Sequence, residues 1–122
     1  MQEFKINVVP EESIEQPKAW ATMFHTTVEH IARFIALPAQ SLKRADRLTQ
    51  PRVQTRLKEV RALLRRVRPW FNSDASAWAW YIGEPLDAFG RLTPAEVVKR
   101  YGDNGIESIN DWISEREMGG FQ

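Results

Sequence analysis

The stretch Pro51-Arg-Val-Gln-Thr-Arg-Leu-Lys-Glu-Val-Arg-Ala-Leu-Leu-Arg-Arg-Val67 places Val53, Leu57, Val60, Leu64 and Val67 at spacings of four, three, four and three. That is the stripe of an amphipathic helix, and the positions between are mostly Arg and Lys. Pro51 suits the first helical position. Upstream, Ala39 to about Arg47 reads as a short helix. Before it, Thr26-Thr-Val-Glu29 has the form of a capping box opening a helix with Val28, Ile31, Ala32 and Ile35 on one side. Pro38 ends that helix, because the residue before a proline avoids the α region. Ser13 to Gln16 resembles a further box, leading through Trp20 and Phe24. Residues 1–12 alternate Phe4, Ile6 and Val8, the pattern of a short strand or an ordered arm.

Downstream, Asn72-Ser73-Asp74 caps a helix carrying Ala75, Trp78 and Ile82. A turn-rich loop from Gly83 to Leu92 follows. Thr93, Pro94 and Glu96 then open another helix. A break at Gly102–Gly105 precedes a last helix lined by Ile106, Ile109 and Ile113, with Trp112 beside the stripe. The chain reads as all-α, with about seven helices and no internal repeat.

Its 122 residues amount to one domain, long enough to bury roughly two-thirds of the unfolded surface. At 43% hydrophobic and 27% charged residues the composition is that of a soluble globular chain. No apolar run approaches the ~20 residues of a membrane span, and the N-terminus lacks the pattern of a secretory signal. A cytoplasmic location without membrane contact is expected. Without cysteine there is no disulfide framework and no thiolate chemistry. The net charge of +1 conceals a division. Residues 1–69 hold 13 Lys/Arg against 7 Asp/Glu, whereas residues 70–122 hold 4 against 9. Such asymmetry points to a polyanion on one side and a different partner on the other, or to two solvated faces.

Catalysis finds no competent constellation, so the chain is not expected to be an enzyme, and no cofactor or metal is implied. His25 and His30 are five apart, the wrong spacing for one helical face. No Gly-rich phosphate loop or nucleophile elbow is present. The segment Ile31-Ala-Arg-Phe-Ile-Ala-Leu-Pro-Ala-Gln-Ser-Leu-Lys-Arg44 instead has the cadence of a helix-turn-helix. Ala32 is small where two helices meet, and Ile35, Leu37 and Leu42 would pack between them. Gln40, Ser41, Lys43, Arg44 and Arg47 are the residue types that reach base edges and phosphates in a major groove. Ala36 stands at the turn position where glycine is usual. DNA contact is favoured over a structural hairpin, because the basic run continues out of this segment. Arg52, Arg56, Lys58, Arg61, Arg65, Arg66 and Arg68 of the long helix can neutralise phosphates, solvate a face, or pair with the acidic half; solvation is expected for most. Trp70, Phe71, Trp78, Trp80 and Tyr81 form an aromatic cluster read as core or dimer packing, with Trp80 the candidate intersubunit contact of a homodimer.

Ala79-Trp-Tyr-Ile-Gly-Glu-Pro-Leu-Asp-Ala-Phe-Gly-Arg-Leu-Thr-Pro-Ala-Glu-Val-Val98 resembles the toxin-binding domain of the Xre/MbcA/ParS antitoxin family. In that family a tryptophan-bearing helix runs into Glu-Pro, a Phe-Gly-Gly or Leu-Gly-Gly turn, then Thr-Pro and a short aliphatic helix. Arg91 stands where the second glycine is common. The tail Met118-Gly-Gly-Phe121 matches a family ending of Gly-Gly-aromatic type. The match covers a little under half the chain, and the region upstream is more loosely similar to the family's Xre-like helix-turn-helix.

The resemblance implies an N-terminal arm over 1–12, an Xre-like helix-turn-helix region over 13–68 and a small helical toxin-binding domain over 69–122. It implies an antitoxin of a type II toxin–antitoxin system that occludes the active site of a RES-type NAD-degrading toxin and binds operator DNA to autoregulate. A stand-alone DNA-binding regulator of the same architecture is the alternative. If Ile106, Ile109 and Ile113 face inward, Glu115, Arg116 and Met118 are left for the toxin. Gly119 and Gly120 would let Phe121 adapt to a pocket. The turn of Phe89, Gly90 and Arg91 is the second candidate toxin contact.

Overall fold

The computed structural model describes residues 14–119 and is all-α, with eight helices among those residues. They are α1 (Pro17–Phe24), α2 (Val28–Phe34), α3 (Ala39–Lys43), α4 (Ala45–Leu48), α5 (Pro51–Val67), α6 (Asp74–Gly83), α7 (Pro94–Tyr101) and α8 (Asp103–Gly119). Single 3-10 turns follow α5 (Arg68–Trp70) and precede α7 (Asp87–Phe89). None of the helices is long and apolar enough to cross a membrane. The arm at 1–12 and Ser13 lie outside the described residues.

α5 is the axis. Its stripe of Val53, Leu57, Val60, Leu64 and Val67 is buried, joined by Leu63, and it packs against α6 and α8. α1 lies on α2 and α6, and α2 touches α3 and α7. One continuous apolar cluster therefore runs from Trp20 to Ile113, crossing the sequence boundary at 68/69. At its centre Trp78 stacks on Phe24 (4.8 Å between centroids, 2° between planes) and on Tyr81 (5.3 Å). Buried Gln54 has its amide fully employed. Its Oε1 accepts from the Glu15 amide at 2.8 Å, and its Nε2 donates to the Leu48 carbonyl at 2.9 Å and the Glu15 carbonyl at 3.3 Å. A buried amide left unpaired would cost more than such bonds contribute.

Local sequence signals hold with shifts. The Thr93–Glu96 capping box forms in full, with Glu96 N donating to Thr93 Oγ1 at 3.1 Å and Thr93 N to Glu96 Oε1 at 2.8 Å. Ser73 caps α6 as expected. The cap of α2 is Thr27 rather than Thr26, and its hydroxyl accepts from His30 N at 3.1 Å. α1 starts at Pro17 after Gln16, with no side-chain cap.

Three corrections have physical causes. The helix expected over Ala39–Arg47 is two helices, broken at Arg44, whose backbone is extended. Leu42 and Leu48 both pack on the core, yet six positions apart on one straight helix they would point about 120° away from each other. α2 ends at Phe34, well before Pro38, because Ala36 takes a left-handed φ of 61° and turns the chain. α8 begins at Asp103, so Gly105 lies inside its first turn. A Cβ there would sit 2.5 Å from the Val97 carbonyl oxygen, so glycine is what lets α7 and α8 approach.

The basic face of α5 is also mostly engaged, against the expectation of solvation. Arg56 donates to the Ile35 carbonyl at 2.9 Å, and Arg61 reaches Glu15 at 2.9 Å. Arg66 holds Asn110, Ser114 and Glu117 at 2.8–3.1 Å, and Arg68 holds Asp74 and the Phe71 carbonyl at 2.9 Å. Arg52, Lys58 and Arg65 are exposed.

Candidate functional site

Two surfaces carry the candidate residues. The first is the pair α2–α3. Tyr81 Oη donates to the Phe34 carbonyl at 2.8 Å, and Arg56 binds the next carbonyl, Ile35. Burial pushes the Tyr81 phenol well above its ordinary pKa, so it remains a donor. These two bonds fix the end of α2 just where Ala36 reverses the chain into Leu37 and Pro38. α3 is thereby set with Leu42 inward and Gln40 and Lys43 outward. Arg44 and Arg47 continue the exposed row. Ser41 departs from expectation: it is 7% exposed and faces the core side, because it neighbours Leu42 on the packed face. Lys43 pairs with Glu29 across the α2–α3 hairpin, and that ammonium is the main reason the Glu29 carboxyl is held below its ordinary range. Arg44 Nε lies 3.3 Å from Asp46.

The second surface is a groove floored by tryptophan. Trp70, Phe71, Trp80 and Trp112 line it, with Glu84–Ala88 along one edge and Arg116 on the other, around a cavity of about 770 Å³. The floor arises because the 3-10 turn after α5 delivers Trp70, α6 delivers Trp80 one turn before its end, and α8 brings Trp112 across. Trp80 stacks on Trp112 at 6.2 Å, while Trp70 meets both edge-on at 6.1 and 6.2 Å. Trp80, expected free for a second subunit, is only 9% exposed: α8 covers it. Trp70 is the open ring, at 41%.

The edge segment is closed on itself. Leu86 N donates to the Leu92 carbonyl at 2.9 Å, and Arg91 N to the Leu86 carbonyl at 2.9 Å. Gly90 and Arg91 both take positive φ, 66° and 72°, and both are exposed, with Arg91 Nη1 on Asp87 at 3.0 Å. Phe89 is half-buried on the far side, packed towards Val97, Tyr101 and Ser108. The expected contacts on α8 are exposed: Glu115, Arg116, Met118 and Gly119. Gly119 is the last helical residue rather than part of a loose pair, and Gly120 and Phe121 lie outside the described residues.

The structure thus brings Arg116 to the same groove as the 84–88 segment but leaves Phe89 outside it. Trp70 and Trp112 were not among the expected contacts. The Trp112–Arg116 spacing of four was the legible signal, since it stacks the guanidinium 4.5 Å over the indole. Among the described residues no group of His, Cys, Asp or Glu has the arrangement to hold a metal ion. No family model, curated protein or solved structure matches the chain.

Proposed function

We propose that the chain is the antitoxin of a type II toxin–antitoxin pair. Its C-terminal half covers the active site of a RES-type NAD-degrading toxin, and its α2–α3 hairpin binds operator DNA as part of a homodimer. The role is binding, not catalysis. The observation that carries the reading is the backbone at Gly90–Arg91. The antitoxins this chain resembles commonly have two glycines there, and glycine is the residue for which positive φ costs nothing. Arg91 adopts a φ of 72°, a backbone that glycine would take without strain, and this is compatible with a turn of that kind. The acidic half, with 9 Asp/Glu against 4 Lys/Arg, also suits a toxin whose pocket must be basic to bind an anionic dinucleotide.

The test is co-expression with a RES-type toxin encoded beside this chain. Restored growth, preserved cellular NAD and a copurifying complex are expected. Toxicity undiminished at equal expression, with no complex, overturns the reading. The exposed row of Gln40, Lys43, Arg44 and Arg47 also favours a regulator that needs no toxin. Specific operator binding by a chain that protects from no toxin would select that alternative.

A further inference from the structure

The groove has a chemistry more specific than apolar contact. Its open ring, Trp70, belongs to a triangle of tryptophans whose centroids are 6.1–6.2 Å apart. An indole face carries negative π potential and attracts cations, arginine most often. The cluster already accommodates one guanidinium, that of Arg116 at 4.5 Å above Trp112. The edge of the same groove carries the carboxylates of Glu84 and Asp87, both exposed, and Glu115 lines a second cavity that shares Trp112 and Arg116. Three carboxylates therefore line the aromatic floor and its continuation; the arginine on the floor, Arg116, is stacked, and Asp87 shares one oxygen with Arg91 at 3.0 Å. An acidic segment would be repelled here, and a neutral apolar one would desolvate carboxylates for no return. A guanidinium satisfies both parts, its flat face on the indole and its N–H groups towards the carboxylates.

We propose that this groove docks an arginine-bearing segment of a partner protein, with the guanidinium seated on Trp70 and facing Glu84 and Asp87. For the identity of that partner, the toxin, the proposal rests on the antitoxin reading; the chemistry of the groove does not. It also moves the centre of the contact from the chain's end to the junction of α6 and α8.

The indole N–H resonances of the full ¹⁵N-labelled chain resolve the tryptophans individually, so they report the site directly. The probe is a short Gly/Arg peptide, compared with the same peptide carrying citrulline, which keeps arginine's shape without its charge. The arginine peptide is expected to shift Trp70 and Trp112 while leaving buried Trp20 and Trp78 unmoved. Citrulline, or the Glu84→Gln/Asp87→Asn variant, is expected to weaken the response about tenfold. Equal response to both peptides, a response unchanged in the variant, or no shift at Trp70 each overturns the proposal. Unmoved Trp20 and Trp78 signals in the unliganded variant show that it is folded. A second arm separates this proposal from the reading it rests on. If the wild-type chain fails to hold a co-expressed RES-type toxin, the antitoxin reading falls and the peptide result stands alone. If the wild type holds the toxin and Trp70→Ala combined with Glu84→Gln holds it equally well, the groove is not the toxin contact.

Discussion

Arg56 donates from Nη1 to the carbonyl oxygen of Ile35 at 2.9 Å, across 21 positions of sequence. Its Nη2 lies 3.5 Å from Asp103, the first residue of α8, and its side chain is 17% exposed. One guanidinium on α5 therefore meets both the end of the candidate DNA-binding hairpin and the start of the helix that carries Trp112. Arg56→Ala would strand the Ile35 carbonyl, at a cost of about 1–3 kcal/mol. Arg56→Lys should recover only part of it, since a single ammonium replaces a fork of donors. Urea denaturation measures both. A midpoint unchanged in the alanine variant would mean that the turn is held without this bond.

Glu59 sits beside the same guanidinium without gaining a hydrogen bond from it. Its Oε1 is enclosed and unpartnered, 3.7 Å from Arg56 Nε, which is equally unpartnered. Burial raises its pKa above the ordinary 4.5, the charge of Asp103 adds to the shift, and Arg56 opposes it. The folded state thus holds this proton more tightly than the unfolded chain does. The resulting stability is fully present below the unfolded value and is lost as pH rises through the folded one. Glu59→Gln should therefore melt higher than wild type at pH about 7, with the difference shrinking towards pH about 4. A variant that melts lower at neutral pH would show that attraction to Arg56 outweighs burial.

The left-handed residue of the hairpin turn is an alanine, Ala36, at φ 61°. An L-residue there bears roughly 1–2 kcal/mol that glycine does not. Glycine also loses more entropy on folding, so Ala36→Gly should stabilise by the difference, about 0.5–1 kcal/mol. The gain appears as a Tm rise of a few degrees. A fall in Tm would mean that the Ala36 methyl contributes more than the backbone strain costs.

Gly105 and Gly83 make a matched contrast. A Cβ on Gly105 meets backbone, the Val97 carbonyl oxygen at 2.5 Å, and backbone cannot rotate away. Gly105→Ala should force α7 and α8 apart and cost about 1–3 kcal/mol. Around Gly83, at the end of α6, nothing lies within 4 Å, so Gly83→Ala should be neutral or stabilising by up to about 1 kcal/mol. Chemical denaturation of the pair settles it: equal effects would remove the close-approach argument.

What the sequence revealed and what it concealed divide along physical lines. Periodicity exposed α5 and the isoleucine face of α8, because burial on one side of a helix leaves a repeating trace. Capping chemistry placed Thr93 and Ser73, because a side chain three residues from an amide is a local matter. The break at Arg44 and the continuation of α8 through Gly105 were hidden, since each is set by packing between elements, Leu42 and Leu48 on the core and Gly105 against Val97, and not by the local residue pattern. The groove was half legible for the same reason. Its aromatics were visible, but which one stays open depends on where α8 crosses, and that left Trp70 rather than Trp80 at the surface. The pairing of α5 arginines with Glu15, Asn110 and Glu117 spans 44 or more positions, beyond the reach of any local pattern.

The hairpin makes a prediction in which each exposed residue has its own signature. Lys43 and Arg44 face solvent on α3 and directly after it, so Lys43→Ala/Arg44→Ala should weaken operator binding and leave the melt unchanged. Losing two phosphate contacts should reduce the salt slope by about two units. Gln40→Ala should instead relax base preference at one position, by about 1–3 kcal/mol if its amide pairs with a base. Lys43 is held by Glu29, which the DNA must displace, so Glu29→Gln should tighten binding by freeing the ammonium and removing a like charge from the phosphates. Ser41, buried beside Leu42, is the internal control: Ser41→Ala should leave DNA affinity alone. Fluorescence anisotropy on operator DNA over a salt series reads all four variants. Equal affinity of the Lys43/Arg44 double variant and wild type at matched salt would make α2–α3 a structural hairpin and leave the basic half without a polyanion.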